Sequence, residues 1–177
     1  MRSLRRHGIA QRGGLAARLL FMVAAGCGGA SNNADAPPPF AVCANETRAD
    51  SYSAGMLKPG KGGKLTAQLL SSDPGPPVKG TNAWKLMVKD SAGNPLDGAT
   101  IAVTPYMPDH SHGTSVRAVV CPGVDDACKT VAPLPGGTYS ITPLYFFMAG
   151  LWQTTLDIRS ADGTVTDSVV FSFCVDG

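Results

Sequence analysis

Apolar and polar residues alternate along most of the chain after residue 60. Leu65, Ala67 and Leu69 are interleaved with Lys64, Thr66 and Gln68, and Trp84, Leu86 and Val88 with Lys85, Met87 and Lys89. Ile101 and Val103 lie inside Ala99–Thr104, and Val116, Ala118 and Val120 inside Ser115–Cys121. Tyr139, Ile141 and the run Leu144–Met148 follow, then Trp152, Leu156 and Ile158, and finally Val165 to Val175. A period of two residues marks strands that bury one face. Asp73-Pro74-Gly75-Pro76-Pro77, Ser91-Ala92-Gly93-Asn94-Pro95, Pro135-Gly136-Gly137 and Ala161-Asp162-Gly163 separate the runs as turns. Helical spacing over three turns appears nowhere after residue 26.

About seven short strands with many turns predict an all-β, immunoglobulin-like antiparallel sandwich. Pro105 and Pro143 interrupt strand-like runs and are expected at edges or bulges. Trp84 and Trp152 are expected to anchor the core, while residues 44–63 are too polar and glycine-rich to place.

The N-terminus has another character. Residues 1–26 carry Arg2, Arg5, Arg6, Arg12 and Arg18 and no acidic residue, then the apolar run Leu19–Ala25 and Gly26-Cys27. A basic segment, a short apolar segment and small residues before a cysteine make an export signal. Ala24-Ala25-Gly26-Cys27 resembles the lipobox of bacterial lipoproteins, in which the cysteine is acylated and becomes the new N-terminus; ordinary secretion is the alternative. About seven apolar residues cannot span a bilayer, which takes about 20 in a helix. Residues 27–42 then read as a lipidated cysteine and a Pro-rich tether, and 43–177 as one β domain. The expected location is the cell envelope, anchored to a membrane at the periplasmic or outer face.

Cleavage also changes the charge. Five of the 15 basic residues leave with residues 1–26, so ten remain against 13 acidic ones, a formal charge of −3. That leaves no basic stripe for nucleic acid. With Cys27 acylated, Cys43, Cys121, Cys128 and Cys174 form an even set in an oxidising compartment. Cys121 and Cys128 flank a polar turn and predict a local disulfide, which leaves Cys43 to pair with Cys174. Zinc competes for these four, but no C-x₂-C pair is present.

Of three histidines, His7 lies in the signal; His110 and His112 both fall in Met107-Pro108-Asp109-His110-Ser111-His112-Gly113. Imidazoles at i and i+2 face one side of an extended chain, where a single ion could take both. Met107 offers a thioether nearby, and Met148 another from the end of a different strand. Met107, His110, His112 and Met148 make a soft ligand set suited to Cu(I); Asp109 could add an oxygen for Cu(II). The competing reading is a solvated turn and two core methionines. No enzyme is expected. Ser111 between the histidines cannot form a nucleophile–base pair with either, and Asp125-Asp126 reads as a solvated turn.

The stretches Trp84–Val88, Asp90–Ala99 and Met107–Gly113, with the later Gly137–Ile141 and Met148–Trp152, resemble the YtkA-like domain family, related to FixH-type proteins. The likeness covers about residues 80–175. The resemblance implies a small extracytoplasmic β-sandwich, often lipid-anchored, with links to copper handling and oxidase assembly. Two functions follow as expectations: binding or delivery of copper through the Met/His set, or a metal-free module that binds another envelope protein through loops or a sheet edge.

Overall fold

In the computed structural model the described residues are 42–177. The signal segment expected at 1–26 and the lipidated cysteine and tether expected at 27–42 lie outside them, save for residue 42.

Nine strands form two antiparallel sheets: β1 (Met56–Pro59), β2 (Leu65–Asp73), β3 (Gly80–Asp90), β4 (Thr100–Met107), β5 (His112–Gly113), β6 (Val119–Cys121), β7 (Thr138–Phe146), β8 (Gly150–Arg159) and β9 (Thr166–Val175). One sheet has the order β1-β2-β3-β7-β6 and the other β5-β4-β8-β9. Leaving β1 aside, this is the A-B-E-D sheet facing C′-C-F-G of an immunoglobulin-type sandwich. The fold class read from the sequence is therefore correct, with two strands more than expected. β5 has two residues, too few for any alternation to show. β1 is a half-exposed Met-Leu-Lys-Pro edge with no apolar run to announce it.

Each sheet turns one face inward because its apolar residues alternate. Leu65, Ala67 and Leu69 of β2 lie beside Trp84, Leu86 and Val88 of β3 in one core cluster with Leu156 and Ile158 of β8 and Val169 and Phe171 of β9 from the opposite sheet. Trp84 sits edge-on to Phe146, Phe171 and Phe173, and Trp152 stacks on Phe146 at 5.2 Å. Both tryptophans anchor the core as expected.

Pro143 lies at an irregularity of β7. Between the pairs Asn82↔Leu144 and Trp84↔Ile141, β7 carries one residue more than β3. The extra residue changes the parity of the inward positions, from Tyr139 and Ile141 to Leu144 and Phe146. β6 stops pairing at Thr142, so the missing proline N–H breaks no ladder there. The run read as Ser115–Cys121 is a strand only from Val119, because 114–118 carries the chain from one sheet to the other.

Both disulfides form as the spacing suggested. Cys43 joins Cys174 and Cys121 joins Cys128, with Cα–Cα distances of 5.5 and 5.3 Å.

Candidate metal centre

The C-terminal end of β4, the turn into β5, the crossover from β7 to β8 and the C-terminal end of β9 meet at one end of the second sheet. Gly150 and Leu151 at the start of β8 pair with Val175 and Cys174, while Tyr106 and Met107 at the end of β4 pair with Gly113 and His112. Met107, His110, His112 and Met148, the four residues picked out by chemistry, all belong to these segments.

The β4–β5 turn explains the placement of the histidines. Pro108 follows Met107 with its φ already set for a turn, and the His110 N–H closes the turn on the Met107 carbonyl at 3.3 Å. Ser111 then adopts φ 56°, the one positive φ of a non-glycine residue among those described. His110 is thus in a turn and His112 in a strand; the extended chain assumed from the i, i+2 spacing is absent. The rings nevertheless come together, with centroids 5.6 Å apart and planes tilted by 47°.

His112 is the more enclosed of the two. Its ring stacks on Phe147 at 5.3 Å and 24° and meets Trp152 edge-on at 6.5 Å. Its Nδ1 is buried with no hydrogen-bond partner among the described residues. A buried polar nitrogen left unbonded costs about 1–3 kcal/mol, so this atom is suited to a ligand. A metal–nitrogen bond near 2 Å plus about 1 Å to the ring centre places an ion about 3 Å from each centroid. Two rings 5.6 Å apart can therefore share one ion.

The two thioethers differ. Met107 is fully buried and belongs to the core cluster; a Cβ added at Gly150 would lie 2.9 Å from its Cε, so Gly150 leaves the space that the methyl occupies. Met148 is half-buried in the β7–β8 crossover, next to Phe147, and its carbonyl accepts a 2.9 Å bond from Trp152 Nε1. Phe147 thus links the Met148 segment to His112. Among the described residues no group of three or more His, Cys, Asp or Glu stands together as a metal site. An ion at the two imidazoles would have to complete its shell with sulfur or a non-protein ligand.

Asp109 is not a free oxygen donor. Its two carboxylate oxygens each accept a 2.7 Å bond from the Arg48 guanidinium. Arg48 also binds Glu46 through Nε at 2.9 Å and a terminal nitrogen at 2.6 Å. Hydrogen bonds from Arg48 are the largest influence holding both carboxyls below their ordinary range. Sequence reasoning missed Arg48. It lies 61 residues from Asp109, in the stretch without pattern, and no local signal points to it.

The YtkA-like family model matches residues 61–157. No curated protein and no solved structure matches the chain. The matched span starts earlier than the quoted motifs and ends within β8; it includes β4, the histidine turn and the Phe147–Trp152 segment, and leaves out β9 and residues 42–60. It covers more than half of the 177 residues, and the chain belongs to the YtkA-like family.

Proposed function

We propose that this protein is an envelope lipoprotein, anchored through an acylated Cys27, that holds or passes on copper. His110 and His112 would be the main ligands, with Met107 and Met148 as thioether donors. The observation that carries this reading is the buried, unpartnered Nδ1 of His112 beside a second imidazole. Thioether with imidazole selects a soft ion. Engagement of Asp109 by Arg48 occupies the carboxylate next to His110 that would favour Cu(II), which supports Cu(I) as the bound state. Phe147 and Trp152 around His112 would limit water at the ion. No reaction is assigned.

Titration with Cu(I) against a competing chelator tests the reading. The wild type should take up the ion, and the double variant His110→Ala/His112→Ala should lose it. Equal affinity in the two ends the proposal.

A second reading has its own support. β4 pairs with β5 only at Tyr106 and Met107, so among the described residues its edge from Thr100 to Pro105 is unpaired. Beside it, a cleft of about 550 Å³ between β4 and β6 is lined by Ile101, Val103, Ala118 and Val120. A free edge over an apolar wall suits an extended segment of another envelope protein, added as a strand with alternate apolar side chains inward. A short synthetic peptide alternating valine and threonine should then slow hydrogen exchange at the outward amides of β4. Unchanged exchange at saturating peptide rejects this reading and leaves the copper one untouched.

A further inference from the structure

Residues 43–50 form a strap across the end of the sandwich that carries the histidines. The Cys43–Cys174 disulfide and a bond from the Cys43 N–H to Asp176 fix one end of it. At the other end the Asp50 N–H donates to the Ser172 carbonyl at 2.6 Å, and its carboxylate accepts from the Ser172 N–H at 2.7 Å. Both anchors lie at β9, the edge strand on the far side of β8 from β4. From there Arg48 reaches the β4–β5 turn and takes both oxygens of Asp109, the residue before His110.

We infer that the strap is a wall of the histidine site and that Arg48 is a positioning residue for His110 and His112, acting through Asp109. This rests on the copper reading only for its functional consequence. Between Met107 and His112 the backbone of the turn is held weakly. The β5 ladder comprises two residue pairs, the His110 N–H bond is long at 3.3 Å, and Ser111 is in the left-handed region. Arg48 and Asp109 are each about half exposed, and exposed ion pairs contribute little to global stability. The consequence of the pair is therefore local: it sets where one imidazole stands relative to the other. Glu46, whose side chain is mostly buried, orients the guanidinium by binding it on the other side. A lysine would keep the charge but lose the two-pronged grip on Asp109.

The test uses the intact chain with both disulfides formed, as wild type, Arg48→Ala and Arg48→Lys. Ring mobility of His110 and His112 is measured by NMR relaxation without metal, and Cu(I) affinity by competition with a chelator. Arg48→Ala should make both rings more mobile and weaken Cu(I) binding about tenfold or more, as loss of a ligand-orienting partner does. Arg48→Lys, which keeps the charge, should fall between. Rings as ordered as in the wild type, or loosened rings with undiminished Cu(I) affinity, would overturn the inference. A wild type that takes no Cu(I), with rings that still loosen in Arg48→Ala, would remove the copper reading and leave the positioning role standing.

Discussion

Ser111 carries the most unusual backbone among the described non-glycine residues, with φ 56°. The left-handed region costs an L-residue about 1–2 kcal/mol, and a β-branched side chain tolerates it worst. Ser111→Val is therefore expected to destabilise the protein by about 1–2 kcal/mol in urea unfolding, with the loss felt first at the turn. An unchanged midpoint would mean that the turn relaxes without cost. Gly150 makes a similar point, at φ 128° with the Met107 methyl against it. The pH dependence of the turn also belongs to single residues. Glu46 and Asp109 sit below their ordinary values of 4.5 and 3.8 in the folded protein. Their contribution is thus complete above those values and is lost as pH falls through the lower, folded ones. The Arg48 Nε–H resonance should hold its paired position at neutral pH and move to the solvated one only in acid below the ordinary carboxyl range. A solvated position already at neutral pH would show that the ion pair does not form in solution.

At the scale of elements, what places the candidate site is a short crossover and a two-residue strand rather than the long ladders. The β7 irregularity lets Leu144 and Phe146 face inward and delivers Phe147 to His112. The crossover after it is tied by the bond from Trp152 Nε1 to the Met148 carbonyl. Trp152→Phe keeps an aromatic ring but removes that donor and some volume. A loss of about 1–3 kcal/mol in urea unfolding is expected, with faster hydrogen exchange in 147–150. Exchange no faster than in the wild type would show that the indole bond does not order the crossover. Six of the seven expected strands were legible because each has eight or more residues, enough for its alternation to appear; β6 has three, and Val116 and Ala118, which announced it, lie in the crossing segment before it. In β2 the register shifts between Leu69 and Ser71, and the inward side passes from Leu69 to Ser72, a break that period two alone does not show.

For the whole molecule, the two disulfides close loops of very different size, with sequence separations of 131 and 7. In the chain-entropy model these stabilise by about 5 and about 2 kcal/mol. Cys43→Ser/Cys174→Ser should therefore lower the unfolding midpoint much more than Cys121→Ser/Cys128→Ser, and it should also free the strap that bears Arg48. Equal losses would contradict this ordering. The proposed acylation of Cys27 is tested in cells: a radiolabelled fatty acid should enter the wild type and be absent from Cys27→Ser, and label in both would rule out acylation at this cysteine.

Alternation and turn residues determined the sandwich, and cysteine spacing determined its disulfides, because both are local or nearly combinatorial properties of a chain. Residue chemistry alone also picked out Met107, His110, His112 and Met148. Only the tertiary structure decided that the imidazoles approach through a turn instead of an extended strand, that Met107 is enclosed in the core, and that Arg48 occupies Asp109. Those outcomes depend on segments far apart in the chain meeting at one end of a sheet, and a contact of that kind leaves no periodic trace in the residues that make it.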